Sequence, residues 1–141
     1  MPRTHITRSF SDSMGRLTFS PTRGFMKGFM DMVFHFKDRF YIVDWKSNHL
    51  GNRMENYASQ SLLPVMVKDF YILQYHIYTL ALDQYLRLRI HNYRYEDHFG
   101  GVFYIFLRGI DPEKGPDSGI YRDLPAPEVI HKLRETLLKR P

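Results

Sequence analysis

The chain has 141 residues, 43% of them apolar and 25% charged, the profile of one ordered domain rather than of a disordered tract. It contains no cysteine, which excludes disulfides, thiolate zinc sites and thiol nucleophiles and fits a reducing cytoplasm. Twenty Lys and Arg against fifteen Asp and Glu leave a net charge of +5, a balance that favours an acidic partner, nucleic acid being the commonest.

Residues 1–23 are polar, with Arg3, Arg8, Arg16 and Arg23 against Asp12 and no apolar stretch. They do not read as a secretory signal. They are faintly like an organelle transit peptide, and the plainer reading is a partly disordered leading segment before a domain at 24–141. Residues 28–36 and 39–46 read as two strands rich in Phe, Met, Val, Ile and Tyr. Only Lys37 and Asp38 lie between them, which predicts a hairpin. The usual turn glycine is missing, so a four-residue loop is also open. Residues 47–52 form a polar turn, and a short helix at 55–63 is expected to stop near Pro64. Leu73, Ile77, Leu80 and Leu88 recur at helical spacing with no Gly or Pro between, predicting one long helix over 67–90. A polar, aromatic connection at 91–99 and a break at Gly100–Gly101 lead into a strand over 102–107. Its unbroken apolar run suggests burial on both faces. That run is also the longest in the chain and far short of the roughly 20 residues a membrane-spanning helix needs. Glycines and prolines punctuate 109–127, a long loop with a short strand near 120–121, and a helix over 128–139 closes the chain. The order implies an α/β fold with a mixed sheet.

Asp31, Asp44 and Lys46 are the residues that carry chemistry. Side chains alternate along a strand, so Asp44 and Lys46 share a face. Either hairpin loop pairs Phe36 with Arg39, and that register brings Asp31 opposite Asp44. Two carboxylates about 5 Å apart repel by roughly 3 kcal/mol at an effective dielectric near 20. Such a pair requires compensating charge, from Lys46 or from a divalent cation. Carboxylate oxygens with the backbone carbonyl of Trp45 are hard ligands suited to Mg²⁺ or Mn²⁺, and a cation held in this way suits phosphodiester hydrolysis. The bland alternative is a register slipped by one residue, which turns Asp31 to the other face and leaves Asp44 and Lys46 as a weak edge-strand ion pair. Spacing leaves both readings open. Gln74 and Tyr78, at i and i+4, either face the site or are a solvent-facing Gln beside a half-buried Tyr. Tyr71, Tyr75, Tyr78 and Tyr85 resemble a base-stacking strip, but their helical spacing places most of them in the core or at its rim. His35 and His49 lie near the hairpin and read as incidental.

The segments GFMDMVF (28–34), YIVDWKSN (41–48) and LQYHIYTL (73–80) resemble, in order, the motifs of the RecB-type nuclease family of the restriction-endonuclease-like superfamily. The resemblance covers roughly residues 23–123. It implies a restriction-endonuclease-like mixed sheet with a central hairpin flanked by helices, and a magnesium-dependent DNA nuclease. Asp31 and Asp44 are then metal ligands together with the Trp45 carbonyl, and Lys46 is the catalytic lysine. Gln74 and Tyr78 match the family's Gln-x-x-x-Tyr motif beside the site and near DNA. The implied partners are DNA, the other subunits of a RecBCD-type helicase–nuclease complex and the recombinase RecA, in a cytoplasmic setting. Met30 replaces a proline common in the wider superfamily, and Asp44 stands where a glutamate is frequent; both variants occur among RecB-like proteins. The family's site also uses a histidine on a helix well upstream. His5 is too close to Asp31 and lies in no helical pattern, so it is not assigned that role. The chain therefore reads as a fragment of the nuclease domain, with a catalytically incomplete DNA-binding or protein-docking module as the alternative. A hairpin whose acids form only an ion-pair network is a third possibility.

Overall fold

The computed structural model describes residues 28–138; the predicted leading segment at 1–23 and His5 lie outside them. Strands β1 (Met32–Phe36) and β2 (Arg39–Lys46) form the expected antiparallel hairpin, with Phe36 opposite Arg39 and Met32 opposite Val43. The two-residue loop is the one used. Lys37 and Asp38 take φ of 47° and 63°, the pair of left-handed conformations that matches the strands' twist and is ordinarily given to Asn-Gly. β1 is shorter than predicted, since residues 28–31 lie outside the ladder.

A 3₁₀ turn (Met54–Tyr57) leads into helix α1 (Ser59–Lys68), then α2 (Tyr71–Arg87) and the one-turn α3 (Tyr95–His98). Strands β3 (Phe99–Phe106) and β4 (Ile120–Asp123) and helix α4 (Pro127–Leu138) complete the fold. The sheet order is β1-β2-β3-β4, antiparallel at both outer pairs and parallel between β2 and β3. The expected α/β architecture with a mixed sheet is present, and the hairpin supplies one outer and one inner strand of the four. Among the described residues no helix is long and apolar enough to cross a membrane.

Three further predicted features differ. Pro64 lies inside α1 instead of ending it. A proline within a helix removes one hydrogen bond, but Leu62 and Met66 of α1 are fully buried in the core, and their packing carries the helix through. The single helix predicted over 67–90 is split at Asp69–Phe70, where Phe70 has φ of 58°. The Gly100–Gly101 pair sits within β3 and does not break it. A Cβ at Gly100 would lie 2.2 Å from the Tyr41 ring, so the glycine makes room for that ring beside a β-bulge at Phe40/Tyr41.

The core lies between the sheet and the helices. Ile42 of β2 and Val102, Tyr104 and Phe106 of β3 are buried on one face, where the rings of Tyr71 and Tyr75 from α2 pack against Tyr104. On the other face Phe34 stacks on Tyr41, which touches Phe103. Phe103 and Ile105 on that face are only half-buried, so the full burial on both faces that the apolar run implied is not met: Val102, Tyr104 and Phe106 are buried on one face and the other is partly open.

Candidate functional site

The site lies at the end of the hairpin away from its turn, where β1 has begun late and β2 runs on. Asp31, one residue before β1, accepts a hydrogen bond from the Trp45 main-chain N–H at 2.9 Å through Oδ2. The N–H and C=O of a strand residue point to the same side, so the Trp45 carbonyl faces the edge at which Asp31 sits. Asp44 is 3% exposed, and its Oδ1 lies 2.6 Å from Lys46 Nζ. The predicted register holds as far as Met32 opposite Val43; Asp31 lies one residue beyond the ladder, and its carboxylate meets the main chain of Trp45, next to Asp44.

Lys46 is held from several directions. Its ammonium stands 4.1 Å from the centre of the Tyr71 ring and 5.2 Å from that of Tyr104, an arrangement in which the negative ring faces favour the cation. Nζ also donates to Gln74 Oε1 at 3.4 Å. The same oxygen accepts a 2.7 Å bond from the Tyr104 hydroxyl, and Gln74 Nε2 donates to the Tyr78 hydroxyl at 3.2 Å. Gln74 and Tyr78 therefore face the acids and the lysine. Gly28 lies close to this pair: a Cβ on it would sit 3.0 Å from the Tyr78 ring, which would have to give way slightly.

The electrostatics leave the cluster short of positive charge. Burial pushes the Asp44 carboxyl above its usual value; Lys46 opposes this, and the neighbouring Asp31 adds to the rise. Burial also raises the Tyr78 and Tyr104 hydroxyls, with Asp44 the next cause for each, so both remain neutral donors. A hard divalent cation fits this donor chemistry: two carboxylates and a main-chain carbonyl, in a setting where burial and like charge disfavour ionised oxygens. Among the described residues no group of three or more His, Cys, Asp and Glu side chains gathers at one place, so the carboxylate donors at this point number two.

Other candidates fall away from the site. His35 stacks on Phe40 near the turn, and His49 bonds Asn52. Of the tyrosine strip, Tyr75 is core and bonded to Asp123, Tyr78 is buried, and Tyr85 is exposed beneath Arg89. Sequence reasoning missed the part played by Tyr104 and Tyr71. Tyr104 stands beside Asp44 in the parallel β2–β3 ladder, a register that no local pattern specifies. It also missed Asn48, which bonds Asp69 at 3.1 Å and the Tyr71 hydroxyl at 3.2 Å.

No family model matches the chain. Among curated proteins it is 48% identical over 119 residues to the RecBCD enzyme subunit RecB of Escherichia coli, covering 84% of the chain and 10% of that protein. To RecB of Buchnera aphidicola from Schizaphis graminum it is 42% identical over 125 residues, 89% of the chain and 10% of the relative. To RecB of Haemophilus influenzae it is 43% identical over 117 residues, 83% and 10%. The chain belongs to the RecB family. It spans about a tenth of the length of these RecB relatives, and the stretch of 28–138 that carries the acids, the lysine and the Gln-x-x-x-Tyr pair forms one sheet-and-helix layer.

Proposed function

We propose that the chain is a metal-dependent DNA nuclease domain, the nuclease portion of a RecB-type subunit. It would serve as exodeoxyribonuclease V within a helicase–nuclease complex in double-strand-break repair and recombination. The observation that carries this reading is the cluster of Asp31, Asp44 and Lys46 at the outlet of a hairpin, in a chain of the RecB family. Asp31, Asp44 and the Trp45 carbonyl would hold Mg²⁺, with Mn²⁺ as a substitute, and the cation would supply Lewis-acid polarisation of the phosphodiester and a more acidic water.

The protein's own residues do the remaining work. Lys46, fixed by Asp44, Gln74 and two aromatic rings, directs its ammonium protons at the attacking water or at the charge developing on the phosphoryl oxygens. Gln74 sets the lysine's position and, with the neutral Tyr78 hydroxyl, offers hydrogen bonds on the DNA side of the site. The basic net charge draws the DNA backbone. The other subunits of a RecBCD-type complex, and the recombinase RecA, are the proposed protein partners, in the cytoplasm.

The test is Asp44→Ala in the intact protein, assayed on linear DNA across a Mg²⁺ titration. The expected outcome is loss of cleavage by about 10³-fold or more, equivalent to some 4 kcal/mol of transition-state stabilisation, with the fold retained. Unchanged cleavage refutes the assignment. A wild-type protein that binds DNA in a salt-sensitive way and shows no Mg²⁺-dependent hydrolysis is instead the binding module.

A further inference from the structure

Phe70 is anomalous in two ways. It is a bulky residue in the left-handed region, φ 58°, where glycine or asparagine is the ordinary choice. Its side chain is also 72% exposed. Its backbone joins the two helices, Phe70 N–H donating to the Val67 carbonyl and the Phe70 carbonyl accepting from Gln74 N–H, but its ring is not packed into the core.

Its neighbours on both sides are tied to the outlet of β2. The Asp69 carboxylate accepts from Asn48. The Tyr71 hydroxyl bonds the same Asn48, and the Tyr71 ring covers the Lys46 ammonium. Consecutive Cα atoms are about 3.8 Å apart, so the Phe70 ring is presented at the rim of the site, one residue from a side chain that contacts Lys46. Lys68, two residues earlier, is exposed, and exposed Arg108 is tied to the Ser47 carbonyl, next to the Asn48 that bonds Asp69 and Tyr71. A solvent-facing ring one residue from a side chain that covers Lys46, beside a site for phosphodiesters, has the chemistry that stacks on a base of a single nucleic-acid strand.

We propose that Phe70 is a stacking platform for an unpaired nucleobase close to the scissile phosphate, acting in substrate positioning and not in the chemical step. The proposal rests on the nuclease reading for what occupies the neighbouring site. The left-handed turn between α1 and α2 aims the ring outward while Asp69 and Tyr71 hold the turn against β2.

The experiment compares wild type, Phe70→Ala, Phe70→Gly and Phe70→Trp in the intact protein, on oligothymidylate and on an abasic strand of equal length. The abasic strand keeps the phosphates and lacks the bases. Glycine removes the ring while suiting the backbone, so it separates loss of stacking from loss of fold. Wild type is expected to prefer oligothymidylate. Phe70→Ala and Phe70→Gly are expected to raise KM for oligothymidylate about tenfold, equivalent to about 1.4 kcal/mol, with kcat within twofold and the preference over the abasic strand gone. Phe70→Trp is expected to restore the preference, and its fluorescence to be quenched by oligothymidylate. The proposal is overturned if the preference survives in both ring-less variants, or if wild type has none. It is also overturned if the variants lose association with partner subunits while their KM for DNA is unchanged, because the ring then serves a protein contact. Failure of the nuclease reading looks different: Asp44→Ala still cleaves, or wild type never does, whatever Phe70 contributes to base preference.

Discussion

Among the described residues three aspartates are buried, Asp44, Asp83 and Asp123; the first two each form an ion pair with a basic side chain of their own element, in contrasting settings. Asp83 in α2 is 0% exposed and is paired by Arg87, one helical turn on, and by Arg134 of α4. Two guanidiniums meet one carboxylate, and the result fastens α4 to α2. Asp44 in β2 is 3% exposed and has one lysine, with a second carboxylate, Asp31, close enough to raise its pKa. It joins no two elements that Ile42 and Val102 do not already join through the core. A buried acid with a surplus of cations is a fastening; one with a deficit suits a cation from outside, the role proposed above for Asp44.

The strongest way to break this contrast is to remove each acid in turn. Asp44→Ala is expected to abolish Mg²⁺-dependent cleavage, by about 10³-fold or more, while the midpoint of thermal unfolding at pH 7 holds. Asp83→Ala should do the reverse. It leaves two guanidiniums facing each other in a partly buried space, at a cost of about 3 kcal/mol, the low end for a broken buried pair because both arginines keep some contact with solvent. Urea unfolding measures the loss, and cleavage per folded molecule should stay near wild type. Swapped phenotypes would mean that the roles have been assigned backwards.

A pH series sharpens the contrast at Asp44 alone. Burial, outweighing Lys46, raises its folded-state pKa above the ordinary 3.8. As pH falls the folded protein therefore takes up this proton before the unfolded chain does. This group's contribution to stability is thus fully present below 3.8 and is lost as pH rises through the folded pKa. Asparagine does not titrate. Without divalent cations, Asp44→Asn is expected to equal or exceed wild type in unfolding temperature at pH 7, and its margin over wild type should grow with pH across that window and then level off. A margin that widens towards acid contradicts the direction of the shift.

The hairpin could be read from the chain because its determinants are local. Alternating residues and a two-residue gap predict Phe36 opposite Arg39, which the ladder has; for the acids, spacing leaves a slipped register open, and the resemblance to RecB-type motifs favours the shared site. The helix break at Phe70 left no mark, because no Gly or Pro signals it. Its neighbours are held by Asn48 and Lys46, which lie more than twenty residues earlier. Tyr104 was equally silent, since a parallel pairing of β2 with β3 is set by packing across three intervening helices and not by any turn. Pro64 misled for a related reason. The local preference to end a helix lost to the burial of Leu62 and Met66 on either side of it. The acids, the lysine and the Gln-Tyr pair were thus visible in sequence, whereas the rings that hold the lysine and the turn that presents Phe70 were not.

The smallest effect concerns how the fastening at Asp83 divides between its two arginines. Arg134 comes from α4, and its side chain is 24% exposed; Arg87 lies on the same helix as Asp83 and is 43% exposed. Removing Arg134 leaves the carboxylate with one partner and cuts the only one of these two contacts that crosses between helices, so Arg134→Ala should lower stability by about 2 kcal/mol. Arg87 contributes an i,i+4 pair at 3.0 Å and lies 5.3 Å from the centre of the Tyr93 ring. Solvent screens the pair, and the ring contact is worth about 0.5–1 kcal/mol at such a site, so Arg87→Ala should lower stability by about 1 kcal/mol. Sodium chloride separates the two further. Raising it to 1 M shortens the screening length to about 3 Å, which should shrink the Arg87 effect more than the better-buried Arg134 effect. Equal losses with equal salt sensitivity would show that Asp83 is held mainly within its own helix, and the tie between α2 and α4 would then rest on the apolar contacts of Ile130 and Leu133.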